Sequence, residues 1–350
     1  MAEAASDTPS GAAGEPVSSA ARAELAAEAA ACAERAEERA RALDFVGAAT
    51  ALGEAAALHA RAGQFVEQGK HLYGQGILLM RVAGQSEAAQ QALKQAEALA
   101  HIFGDVEGEV RALMRVADLR AAGGDLEAGL AQLDVAALRV ASGRPDLAVQ
   151  VHRGQAALLL ALGRLSPALA ALKEATRDAE QLGDPRLALE LKLERRGLLG
   201  LRTRGDAKSP LADLMREADE LSDPALRADV GLQQAAALLR GGDFEAGLVA
   251  AEQVRRQALD LPDPLRYMLA CLLMAEAREQ LGDYVGVLEI LLTCKVSLER
   301  FVGPEAGAAV VRVLDSLAGR WGQDAVDEAR RRYREQAQAR KAREEQNTQS

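Results

Sequence analysis

The chain has 350 residues and a formal charge of −10, with 49% apolar residues but only 3% aromatic ones. The acidic balance argues against general nucleic-acid binding, and no apolar run is long enough to cross a membrane as a helix. Cys32, Cys271 and Cys294 show neither metal-ligand nor disulfide-framework spacing and read as reduced core thiols of a cytoplasmic protein.

Residues 1–20 are mostly Ala, Ser, Gly and Pro, with Glu3, Asp7 and Glu15 before Arg22, the first basic residue. They lack the basic and apolar regions of a signal peptide and are expected to be a disordered tail. A helical pattern starts near Ala21 and reaches about Ala42. Beyond it, breakers recur roughly every twenty residues, from Gly63, Gly84 and Gly104 to Gly282, Gly303 and Gly322. Ala and Leu dominate the segments between them, with apolar spacing i, i+3, i+4, i+7, so each segment is predicted to be one helix of about five turns.

The breakers are of two alternating kinds. One is a helix start: Gly183 ends a helix, Asp184 caps the next, and Pro185 takes the first helical position, where no N–H is missed. It recurs as Asp223-Pro224 and Asp263-Pro264, and more loosely at Gly143-Arg144-Pro145 and Gly303-Pro304. From Pro145 to Pro304 the steps are 40, 39, 40 and 40 residues, a solenoid period. The other kind is Gly, a polar residue, a large apolar residue, and a small residue three further on, as in Gly124-Asp125-Leu126 with Gly129 and Gly242-Asp243-Phe244 with Gly247. Leu43-Asp44-Phe45 with Ala48 is the first copy, without its glycine. The alternation predicts two-helix units at 21–62, 64–103, 105–142, 144–182, 184–222, 223–261, 263–302 and 304–345, with a frayed tail over 346–350.

Over residues 21–345 this pattern resembles the tetratricopeptide repeat family in a long-period form. The resemblance rests on the Gly-Asp-Tyr/Phe turn and on small residues at Ala55, Ala136 and Ala175. It also rests on an Ala seven before each turn glycine (Ala117, Ala156, Ala235, Ala275) and on the boundary prolines. It departs in lacking the large aromatic early in the first helix, in the extra Ala207-Lys208-Ser209-Pro210, and in an irregular last unit. It implies an all-α, right-handed α-solenoid of about eight antiparallel helix pairs, and protein–protein interaction as its function.

No catalytic constellation stands out. His59, His71, His101 and His152 have no ligand spacing with one another or with cysteine, so no metal is expected. The glycines sit at helix ends on a fixed period and form no phosphate loop, and no Ser or Thr lies in a nucleophile elbow. The chain reads as non-catalytic and without a cofactor. The C-terminal stretch 330–343 carries seven basic residues and one acid, Glu335, and reads as a solvated polar cap or, alternatively, as a surface for nucleic acid or an acidic membrane.

In such solenoids the first helix of each unit lines the inside of the curve, at i, i+3, i+7, i+10. Anchored on the small residue before each turn, these positions are His71, Gly74, Leu78 and Arg81; Arg111, Met114, Asp118 and Ala121; Gln150, Arg153, Ala157 and Leu160; and Lys192, Arg195, Leu199 and Arg202. Six of these sixteen are Lys or Arg against one acid, whereas the matching positions of units 1, 6 and 7 hold no base and four acids (Glu37, Asp229, Glu276, Glu279). Two readings fit: an ordinary solvated face, or a basic band for an extended acidic peptide with Leu78, Met114, Leu160 and Leu199 beneath the charges.

Three functions follow: a scaffold or adaptor that holds a partner protein or peptide in the groove, a tetratricopeptide-type sensor of a peptide or small molecule, or a nucleic-acid binder using the groove and the C-terminal helix. The short segments outside the repeats are not expected to supply a sensor's output module. The acidic charge disfavours nucleic acid, which leaves the adaptor as the leading expectation. The sequence leaves the oligomeric state open.

Overall fold

The computed structural model describes residues 18–140, 143–200 and 208–348. Among them the backbone forms sixteen α-helices and no strand. The first eight are α1 (Ser19–Arg41), α2 (Phe45–Ala62), α3 (Phe65–Leu79), α4 (Ser86–Phe103), α5 (Val106–Ala122), α6 (Leu126–Val140), α7 (Pro145–Ala161) and α8 (Leu165–Leu182). The rest are α9 (Pro185–Gly200), α10 (Lys208–Glu220), α11 (Pro224–Arg240), α12 (Phe244–Asp260), α13 (Pro264–Gln280), α14 (Tyr284–Phe301), α15 (Ala308–Trp321) and α16 (Gln323–Thr348). A 3₁₀ turn at Pro304–Gly307 makes the last unit irregular, as expected.

These helices fall two by two into the eight intervals read from the breakers. Three limits differ. The first helix starts at Ser19, with the Ser18 hydroxyl accepting from the Ala21 amide at 3.2 Å. The last runs to Thr348, past the expected end at Glu345, because nothing in the stretch after Arg330 breaks a helix. The third helix stops at Leu79, short of Arg81. Residues 1–17 of the expected tail, with Arg202 and Ala207, lie outside the described residues.

The turns show why the helices begin where they do. Eight aspartates accept from amides of the helix each one starts: Asp44, Asp105, Asp125, Asp184, Asp223, Asp243, Asp263 and Asp283, at 2.9–3.3 Å. The residue before such a cap turns into the left-handed region, as Gly183 does at φ 72°, a conformation that costs a residue with a Cβ. Leu43 holds the same conformation at φ 63° without being glycine.

The helices divide into two compact units, parted between Ala171 and Leu172. In the first, each helix from α1 to α7 packs on the next, and the first helices of successive pairs, α3, α5 and α7, also touch. Small residues permit the approach: Ala29, Cys32 and Ala36 of α1 are buried with Ala48, Ala51 and Ala55 of α2. At Gly76 a Cβ would stand 2.5 Å from Leu93 Cγ. A buried carboxylate ties three helices, since Glu109 of α5 meets His101 Nδ1 of α4 at 3.1 Å and Arg139 Nε of α6 at 2.8 Å. In the second unit, α9 packs on α10 and α11, and α11 to α14 follow in series. There α14 also meets α15 and α16, closing a core that runs from Ala235 through Tyr267, Leu291 and Leu317 to Val326 and Ala329.

Leu43 is 74% exposed, so its side chain contributes little burial to offset its strained backbone. Replacing Leu43 with Gly is expected to stabilise the protein by up to about 1 kcal/mol, read as a higher melting temperature. An unchanged or lower melting temperature would refute the strain.

Candidate functional site

The candidate site is the stripe of first-helix positions read from the sequence. In α5, Val110, Ala112, Leu113, Val116 and Ala117 are buried, whereas Arg111, Met114, Asp118 and Ala121 are exposed or only half-buried. In α7, Leu147, Ala148, Val149, Val151 and Ala156 are buried, whereas Gln150, Arg153, Ala157 and Leu160 are not. The same holds at every described position of this register in α1, α3, α5, α7, α9, α11 and α13 except Leu239, which is buried. Core packing takes the neighbouring faces of each first helix and covers this one only in part, through Leu78, Met114, Leu232 and Leu272.

The stripe's charges are largely engaged within the chain. His71 stacks on His59 of α2, ring centroids 5.0 Å apart and nearly parallel. Arg81, beyond the end of α3, lies over the Phe45 ring at 5.4 Å, so it belongs to a turn and not to the stripe. Arg111 pairs with Glu107 one turn earlier, at 2.6 Å. Met114 packs its inner side against the core of Val110, Leu113 and Leu147. Arg153 is exposed on α7.

In the second unit, Lys192 bridges Glu180 of α8 at 3.2 Å and Glu217 of α10 at 2.9 Å. Burial works against its charge, yet the two carboxylates raise its pKa. Arg195 is half-buried, with its Nε shut off from water and without a partner. Leu199 is half-buried on the same helix. The described cations of the stripe thus fall on both units, and most of them have partners within the chain.

Two features escaped sequence reasoning. The first is a series of ion pairs between successive pairs of helices at a spacing of 37 residues: Glu107–Arg144, Glu127–Arg164, Asp223–Arg186 and Asp229–Arg266. Arg266 grips Asp229 with two bonds, at 2.7 and 2.6 Å. The spacing falls about one helical turn short of the 40-residue period, a signal present in the sequence as charges of opposite sign.

The second is a cavity of about 340 Å³ between α3, α4 and α5, lined by Phe65, Tyr73, Leu99, Phe103 and Arg111. Phe65 and Phe103 stack at 5.6 Å while remaining 41% and 47% exposed. On α16, Arg331 and Arg332 bind Glu328, and Arg340 reaches Glu289 of α14, so much of that helix's positive charge is met locally. No group of metal-ligating side chains occurs among the described residues, nor is any described helix long and apolar enough to cross a membrane.

No protein-family model matches the chain, and no curated protein matches its sequence. Solved structures do. The chain resembles BtubC (BKLC) from P. vanneervenii with a TM-score of 0.52 and 20% identity, over 62% of this chain and 89% of that one. The apo form of RapI gives 0.48 and 13%, over 73% and 99%. The TPR-like repeats of a putative kinesin light chain from Podosopora anserina give 0.37 and 16%, over 66% and 96%. The likeness to BtubC is one of fold alone. The tetratricopeptide-like resemblance read from the turns holds at that level, as a tandem array of helix pairs.

Burial lowers the pKa of His71, and the neighbouring His59 lowers it further. Both folded and unfolded states hold this ring neutral above its ordinary value. Below about 6.5 the unfolded chain takes up the proton first, so stability is lost as pH falls through the folded pKa. Melting curves at about pH 7.5 and about pH 5.5 are expected to show a smaller acid loss for His71→Gln than for the parent chain. Equal losses would mean that His71 does not carry the effect.

Proposed function

We propose that the protein is a non-catalytic adaptor that holds an extended, acidic segment of a partner protein along the exposed stripe of its first helices. One observation carries this reading: among the described residues the i, i+3, i+7, i+10 register is, Leu239 apart, never fully buried in helix after helix, although half the chain's residues are apolar. A helical array that leaves the same face of successive helices uncovered offers one extended surface in each unit. On the first unit that surface combines Arg111 and Arg153 with the thioether of Met114 and the apolar Leu160. Guanidinium groups give paired hydrogen bonds to carboxylates, and the apolar side chains give contact area between them. Arg111 already has Glu107 as a partner, so a bound carboxylate would share or replace that pair. Exchange of this kind favours selectivity over raw affinity.

The test is affinity capture with the tagged full chain, followed by binding titration of the main recovered protein. The double variant Arg111→Glu, Arg153→Glu is expected to weaken that binding about tenfold or more. Equal binding by both chains would reject the stripe as the contact surface. Retention of the variant's helical content by circular dichroism separates lost binding from lost folding.

A further inference from the structure

The second unit holds a buried pair of thiols away from the stripe. Cys271 of α13 stands eleven residues before Gly282, and Cys294 of α14 stands eleven residues after Asp283. The two helices run antiparallel from that turn, so equal counts bring both residues to one level of the hairpin. Both lie in one core cluster, 1% and 0% exposed. A cleft of about 770 Å³ between α12, α13 and α14 reaches Cys271, past Glu252, Arg255, Tyr267 and Thr293. Glu252 holds Arg255 there with two bonds, at 2.7 and 2.9 Å, and Ser297 fixes the Tyr267 hydroxyl at 3.1 Å.

The two thiols differ in environment. The neighbouring Cys294 thiol lowers the pKa of Cys271 against the opposing effects of burial and of the Glu252 charge, and the Arg255 charge and Tyr267 hydroxyl act in the same direction as Cys294. Cys294 is pushed up by the neighbouring Cys271 and by burial. Both directions favour Cys271 as the attacking thiol, and it is Cys271 that lines the cleft.

We propose that Cys271 and Cys294 form a hydroperoxide-reactive dithiol whose oxidation closes a disulfide between α13 and α14. The Cys271 thiolate attacks the terminal oxygen of the hydroperoxide, and the O–O bond breaks. Cys271 becomes a sulfenic acid, and the departing oxygen leaves as water or an alcohol with the proton that Cys271 gave up. Cys294 sulfur then attacks the sulfenic sulfur, the S–S bond forms and the S–O bond breaks, and hydroxide leaves with the Cys294 proton as water. In sum, two thiols and one hydroperoxide give one disulfide, one water and one water or alcohol, and the thiols supply both electrons. Cys32 serves as the internal comparison. It is also buried and near a cation, with Arg35 at 3.1 Å, but it has no second thiol beside it in its core cluster.

The experiment uses the full chain and hydrogen peroxide. After exposure the protein is alkylated under denaturing conditions without reductant, digested, and mapped by mass spectrometry. A cross-linked pair of peptides containing Cys271 and Cys294, lighter by two hydrogens, is expected, with Cys32 alkylated. In Cys294→Ala the reaction stops one step earlier, and dimedone is expected to label Cys271. Recovery of Cys271 and Cys294 both alkylated after peroxide would overturn the proposal, as would a dimedone adduct on Cys32 with none on Cys271. Should Cys294→Ala fail to fold, the cross-link map of the unaltered chain still decides.

Discussion

A pair of antiparallel helices has an apolar face on each side and cannot cover both by itself. Everything else in this chain answers that constraint. Each pair must meet the next, so the turns have to deliver helices of nearly equal length at a constant pitch. Aspartate caps, boundary prolines and left-handed turn residues do so locally, within a few residues of each break. Their regular placement converts a composition rich in Ala and Leu, which by itself specifies only helix, into a defined stack. Small residues where helices meet then let the backbones approach, as Gly76 does against Leu93.

Polar contacts refine that stack and limit what remains for binding. The carboxylate–arginine pairs spaced by 37 residues, with the Glu109 contacts, tie neighbouring elements at fixed places. Partly exposed pairs of this kind contribute modestly to stability, but they select one register of stacking. The same chemistry engages several cations that a helical wheel would assign to a partner. Lys192 is held by two glutamates from flanking helices, and Arg81 lies on an aromatic ring. In the proposed reading, recognition falls to a mixed surface in which Met114 and Leu160 act alongside Arg111 and Arg153, whose own contacts a partner would have to share.

The fold was legible because its signals are local. An aspartate three residues before the amide it caps, or a proline at a first helical position, can be read without knowing the tertiary structure, and the fixed period then multiplies the information. Even the missing glycine at Leu43 was visible as a departure. The stripe was legible for the same reason, since its register hangs on the turns. Its chemistry was less so. No local signal marks the end of α3 before Arg81, and the partners of Lys192 lie 12 and 25 residues away on other helices. The His59–His71 stack and the pairing of Cys271 with Cys294 likewise depend on which residues face each other across a hairpin.

The stripe as the partner-binding face is most directly tested by hydroxyl-radical footprinting of the full chain with and without the recovered partner segment. Met114 and Leu160 are expected to be shielded on binding, while Val135 and Leu138, exposed on α6, keep their reactivity. Shielding of Val135 and Leu138, or of the exposed Phe65 and Phe103, with Met114 and Leu160 unchanged would contradict the account and place the partner on another face of the array.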